Sequence, residues 1–113
     1  MWLLLKISMS LINIEPSVLN NWKESKKISL IDVRNDDEVS KGIIDGAIHV
    51  PILIIPQWLD VQDKKACYVF YCHSGIRSAN TVNLAEQLEY ANVYNLSGGV
   101  LAWQHSGFGL VKQ

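Results

Sequence analysis

Hydrophobic and polar positions along the chain switch between two periods. Ile28–Val33 (ISLIDV) and Cys67–Tyr71 (CYVFY) carry apolar residues at odd and even positions alike. That pattern suits a strand covered on both faces, as in a parallel sheet. Ser10–Ile14, Gly46–Val50 and Asn92–Leu96 read as three further short strands, the first at a sheet edge. Between the strands the apolar spacing becomes three and four. Val18, Leu19 and Trp22 form one helical face after Glu15-Pro16, where proline is tolerated in the first turn. Lys23, Lys26 and Lys27 close that helix with the charge its carboxyl end prefers. Asn35–Lys41 is a short helix running from acid to base, with Gly42 as its cap. Ala79, Val82, Leu84, Ala85 and Leu88 mark a helix after the small-residue loop His73–Gly75, and Gly98-Gly99 opens a last helix through Trp103. Pro51–Leu59 is ambiguous, because Ile52–Ile55 is continuously apolar and Pro56 interrupts a helix. Asp60–Lys65 is a polar loop.

Strand and helix alternate throughout. The expected fold is α/β, with a mostly parallel central sheet of about five strands. In such sheets the site lies beyond the carboxyl ends of the strands. That directs attention to the residues just after Asp32, Val50 and Tyr71.

Composition narrows the function. A chain of 113 residues fits one domain, 1–113. At 49% hydrophobic and 19% charged it can bury a core, which excludes a disordered chain. Ten basic residues against eleven acidic ones give a net charge of −1, without the basic surplus of a nucleic-acid binder. Two cysteines do not make a disulfide scaffold. The apolar run Trp2–Leu5 is cut by Lys6, far short of the ~20 residues of a spanning helix, and it lacks the order of a signal peptide. Residues 1–9 read as a non-core extension, or Met9 as the true start. The expectation is a soluble cytoplasmic protein with neither nucleic acid nor membrane as partner.

Chemistry concentrates in CYVFYCHSGIRS, residues 67–78. Cys72 ends the strongest strand, Gly75 and its small or polar neighbours make a tight turn, and a helix starts at once. Successive backbone N–H groups of such a loop can converge into an anion nest, and the following helix adds partial positive charge. Both favour thiolate over thiol at Cys72, and the thiolate is the nucleophile. Gly75 allows backbone angles that a Cβ would forbid. Arg77 offers a planar fork, for an oxyanion or for clamping the loop. Cys67 reads as a small packed hydrophobe. It is no disulfide partner for Cys72, since five residues of strand span roughly 16 Å against the roughly 6 Å a disulfide allows.

Three segments together resemble the single-domain rhodaneses, a sulfurtransferase family, over nearly the whole chain. LIDVRNDDEVSKGIIDGAIHVP (30–51) is similar to the family's Asp-Val-Arg segment with its following Glu and Gly-Ala-x-x-x-Pro stretch. YCHSGIRS (71–78) resembles the active loop, and LSGGVLAW (96–103) the closing Gly-Gly…Trp segment. The resemblance implies a three-layer domain with helices on both faces of the sheet. It implies that Cys72 takes sulfane sulfur from a donor such as thiosulfate as a persulfide and passes it to cyanide or a thiol. His73, Ser74, Gly75, Ile76, Arg77 and Ser78 would form the cradle. No cofactor beyond that persulfide is expected, and no metal-ligand cluster is visible. A thioredoxin-like or sulfur-delivery protein is a further expected partner.

The loop runs six residues from Cys72 to Arg77 inclusive, one fewer than in cysteine phosphatases and related arsenate-handling enzymes. The smaller ring suits a single sulfur better than a phosphate. Redox sensing through an exposed low-pKa thiol stays open as a non-enzymatic alternative. Asp32 and Arg34 could shape the site entrance. The favoured reading is a structural pair ordering the strand–helix junction, with Asp36 to Glu38 as another partner for Arg34. His73 is disfavoured as a base because adjacent turn residues point apart. As a weak cation near neutral pH, it also makes thiosulfate a poor donor compared with a persulfide. His49 is expected to make a structural hydrogen bond and His105 to face solvent. Trp22 and Trp103 read as core, and Trp58 as a candidate pocket wall. Gly42 is followed by Ile43 and Glu38 by Val39, where the family often has His and an aromatic; both read as packing changes.

Overall fold

The computed structural model of the protein describes residues 12–113. The reading of 1–9 as an extension lies outside these residues, as do Ser10 and Leu11 of the first expected strand. The chain runs β1 (Asn13–Ile14), α1 (Pro16–Ser25), β2 (Ser29–Asp32), α2 (Asp36–Val39) and β3 (Ile48–His49). A 3-10 turn (Ile52–Ile54), α3 (Ile55–Leu59), β4 (Cys67–Tyr71), α4 (Ile76–Gln87), β5 (Asn92–Leu96) and α5 (Gly99–His105) complete it. The strands pair in parallel, in the order β1-β5-β4-β2-β3.

The side-chain alternation of β4 explains the three layers. Tyr68, Phe70 and Cys72 point into one cluster, with Ile55 and Leu59 of α3 and Val82 and Ala85 of α4. Val69 and Tyr71 point into the other, with Leu19 of α1, Val39 of α2 and Val100 and Trp103 of α5. Both faces of the central strand are therefore dry, which is why its sequence is apolar at both parities. Fully burying each such large side chain contributes roughly 1.5–3 kcal/mol.

Several boundaries differ from the sequence reading for local reasons. β3 covers only Ile48–His49 of the expected Gly46–Val50, because Ala47 N–H turns back to the Ile44 carbonyl. Pro56 does not interrupt a helix but sits in the first turn of α3, where its missing N–H has no partner to lose. The acidic helix is Asp36–Val39 rather than Asn35–Lys41, with Glu38 Oε1 accepting the Asn35 backbone N–H. α5 continues two residues past Trp103 to His105. The carboxyl tail is tied back by an antiparallel bridge between Ile43 and Val111. Among the described residues, no helix is long and apolar enough to cross a membrane.

Candidate active site

Cys72 comes directly after the last residue of the central strand and is only 1% exposed. The chain then reverses through Gly75, whose φ of 101° belongs to the left-handed region, and enters α4. This reversal turns backbone N–H groups inward. Gly75 N–H reaches Cys72 Sγ at 3.2 Å and Ser78 N–H at 3.4 Å, with Ser78 Oγ also at 3.4 Å. Burial alone pushes the Cys72 thiol up. The hydrogen bonds from the Ser78 side chain and from the Ser78, Gly75 and Ser74 backbones outweigh it, and the thiol lies below its ordinary value. His73, Ser74 and Ile76 stand exposed around the sulfur.

Two neighbouring elements hold the loop. Asn95 of β5 is 4% exposed; its Nδ2 donates to the Gly75 carbonyl at 3.2 Å and its Oδ1 accepts from Ser78 Oγ. At the start of α5, Val100 N–H donates to the Cys72 carbonyl (2.9 Å) and Leu101 N–H to the His73 carbonyl (3.1 Å). Gly99 lies against the same two carbonyls so closely that an added Cβ would sit 2.6 Å from the His73 oxygen. The Gly-Gly pair thus has its reason in a backbone-to-backbone approach.

Arg77 does not present a free fork to the site. Its two terminal nitrogens donate to the two carboxylate oxygens of Glu38, each at 2.8 Å. The Arg77 bond holds the Glu38 carboxyl down to about 2, against a smaller opposing effect of burial. Asp32 and Arg34 form a second, buried pair. Arg34 Nη2 lies 2.8 Å from Asp32 Oδ2 and donates to the Gly42 carbonyl at 2.7 Å, while Arg34 Nε and backbone N–H also reach the carboxylate. Asp32 is level in register with Tyr71, the residue before Cys72. A groove of about 320 Å³ opens beside His73, lined by Arg34, Glu38, Lys41, Val100 and Gln104 among others.

A family model described as a rhodanese-like domain matches residues 15–106. This chain belongs to the rhodanese-like domain family. The Bacillus subtilis (strain 168) protein YtwF, named provisionally as a sulfurtransferase, is 39% identical over 79 residues, covering 70% of this chain and 76% of that one. A sulfurtransferase of Allochromatium vinosum is 33% identical over 88 residues, covering 78% and 82%. A solved rhodanese-like domain protein from Staphylococcus aureus superposes with a TM-score of 0.78 at 32% identity, covering 91% and 99% of the two chains.

In this rhodanese domain Gly75 and Ser78 reach Cys72 Sγ, the Ser74 N–H also acts on it, His73 and Ile76 stand exposed, and Arg77 turns to Glu38. Asp32 and Arg34 bear out the structural reading, but as a buried pair rather than a partly exposed one. Arg34 therefore has no need of Asp36 to Glu38. His49 Nε2–H donates to the Arg34 carbonyl at 2.7 Å, the structural bond expected of it, and His105 is exposed. Trp103 is core, Trp22 packs edge-on against Tyr94, and Trp58 packs against the core, edge-on to Tyr68 near the start of β4 and away from Cys72 at its end. Cys67 is half-buried at the start of β4 rather than in the core, and burial pushes its thiol up. Among the described residues no cluster of His, Cys, Asp and Glu could hold a metal ion.

Sequence reasoning missed Asn95 and the partner of Arg77. Asn95 lies within an apolar strand and was legible only as the one polar position facing inward there. Ser78 has one hydroxyl proton and two acceptors, Asn95 Oδ1 and Cys72 Sγ. Its support of the thiolate is therefore shared. Ser78→Ala is expected to move the pH profile of Cys72 alkylation to higher pH. The rate at neutral pH should fall roughly threefold to tenfold, as for one lost hydrogen bond of ordinary strength, because the hydroxyl proton is shared. An unchanged profile would assign the thiolate to the backbone N–H groups alone.

Proposed function

We propose that this protein is a sulfurtransferase that carries sulfane sulfur on Cys72. The observation that carries the reading is the low-lying Cys72 thiol inside its ring of N–H and O–H donors. The Cys72 thiolate attacks the outer sulfur of a donor such as thiosulfate. The S–S bond of the donor breaks, sulfite leaves with the electron pair, and Cys72 holds a persulfide anion. The Gly75 and Ser78 N–H groups suit that anion as they suit the thiolate. A thiolate acceptor or cyanide then attacks the terminal sulfur and Cys72 departs as thiolate. No proton need move in either step, so the exposed His73 is not required as a base. No cofactor takes part beyond the persulfide. Small thiols, cyanide or a thioredoxin-like sulfur-delivery protein are the acceptor classes, and a reducing cytoplasmic setting suits a thiol that must stay free.

The test is transfer from thiosulfate to cyanide, read as thiocyanate, with intact-mass analysis for one added sulfur. The native protein is expected to turn over and to gain that mass. Cys72→Ser is expected to lose both, at least a thousandfold in rate, since the serine hydroxyl is not ionised in this pH range. An adduct without turnover would keep the carrier role and move the search to another acceptor. Neither signal from folded, reduced protein would sink the proposal and leave redox sensing, or phosphatase and arsenate-reductase assays, as the next measurements.

A further inference from the structure

We propose that Glu38 sets the charge of the sulfur donor this site accepts. By neutralising Arg77, it makes the entrance prefer singly charged or neutral persulfide-type donors over a dianion such as thiosulfate. The inference rests on the sulfur-transfer reading for its substrate, but its first test does not use sulfur transfer.

Most of the formal charge around Cys72 is already matched. Arg77 is the cationic side chain of the loop itself, five residues after Cys72, and its partner Glu38 lines the groove beside His73. Both of its terminal nitrogens are taken by the two oxygens of one carboxylate, in the parallel geometry that makes such pairs strong. Arg77 is 33% and Glu38 26% exposed at the side chain, so the pair meets solvent and does not lie in the core. Arg34, which lines the groove, is matched to Asp32 by hydrogen bonds to both carboxylate oxygens. Among the described residues, what remains along the groove is exposed His73, Lys41 and the backbone dipoles of the loop. The dipoles act at hydrogen-bond range and hold one sulfur anion. They offer a second negative charge several ångströms away very little. A site built for dianions would leave a guanidinium free, as arginine forks do when they bind phosphate or sulfate groups.

The first test compares alkylation of Cys72 by iodoacetate, an anion, with alkylation by neutral iodoacetamide. Dividing the two rates cancels changes in the thiol itself. For the native protein the ratio should vary less than twofold between low and high salt. Glu38→Gln keeps the size of the side chain and frees the Arg77 charge. It is expected to raise the ratio about fivefold at low salt, and added salt should erase the gain. Arg77→Gln leaves Glu38 unmatched and should lower the ratio by a similar factor. The double variant, again neutral, should return near the native value, and Glu38→Asp should keep it. Opposite signs for the two single variants are the expected result. If both slow the two reagents equally, the pair is only a brace and the proposal fails. A strongly salt-dependent ratio in the native protein would also overturn it, without any variant.

The second test uses two donors of one shape, thiosulfate (two charges) and methanethiosulfonate (one charge). Glu38→Gln should lower the KM for thiosulfate about fivefold and change that for methanethiosulfonate less than twofold. Absence of turnover with both donors, alongside the expected alkylation ratios, would count against sulfur transfer and leave the role of Glu38 in charge selection standing.

Discussion

Asp32→Ala is expected to destabilise the domain by about 3–5 kcal/mol, the usual cost of stripping one partner from a buried ion pair. Asp32 is fully buried and Arg34 only 4% exposed. The guanidinium has two acceptors, the Asp32 carboxylate and the Gly42 carbonyl. Without the first, a full positive charge is left in the interior. It cannot discharge: burial works to lower the arginine pKa and the raising effect of Asp32 is gone, but the ordinary value of an arginine is already beyond any working pH. A domain of this size has only about 5–15 kcal/mol of stability in total. Asp32→Ala should therefore leave a marginal protein, visible as a large drop in the urea midpoint. The double variant Asp32→Leu/Arg34→Met removes both charges and should be more stable than Asp32→Ala alone. A loss below about 1 kcal/mol in the single variant would mean that water reaches the freed guanidinium.

Gly99→Ala should cost activity even more than stability. The new Cβ would press on the Cys72 and His73 carbonyls, with the His73 oxygen at 2.6 Å. Both are backbone atoms, so no flexible side chain can yield. Either α5 moves off the loop, breaking the Val100 and Leu101 N–H bonds, or the Cys72 backbone shifts and carries Sγ away from its donors. A displacement near 1 Å in an active site costs on the order of a hundredfold in rate. A loss of at least that factor in sulfur transfer is expected, with a lowered Tm. Gly46→Ala is the control. Gly46 also has positive φ (87°), but its Cβ would meet nothing within 4 Å. It should show only the left-handed strain of about 1–2 kcal/mol and near-native activity per folded molecule. Equal activity losses in the two variants would show that strain, not close approach, governs the loop.

The charge balance of the site divides into what is local and what is not. Cys72, Gly75 and Ser78 were recognisable because a strand end, a left-handed glycine and a helix start within seven residues leave the sulfur one place to go, inside the turn. The Asp32–Arg34 pair was also local, two residues apart, though its burial was not, because burial depends on the segment around Gly42 and on Tyr71 of the neighbouring strand. Arg77 and Glu38 are 39 positions apart and come from different connections. No spacing links them, and a sequence reading leaves the arginine open between binding an oxyanion and clamping the loop.

By itself, then, the sequence determined the parallel α/β order, the two-sided core and the thiol on which the proposed chemistry rests. Each is written in contacts between neighbours in the chain or in a repeating side-chain period, such as the unbroken apolar run of β4. Tertiary structure alone decided which charges remain available at that thiol. It brings Glu38 of α2 to Arg77, Asn95 of β5 to Ser78, and the start of α5 onto the Cys72 carbonyl. An ion pair has direction and range but no period along the chain, so only the packed sheet order could reveal that the loop's own arginine is already matched.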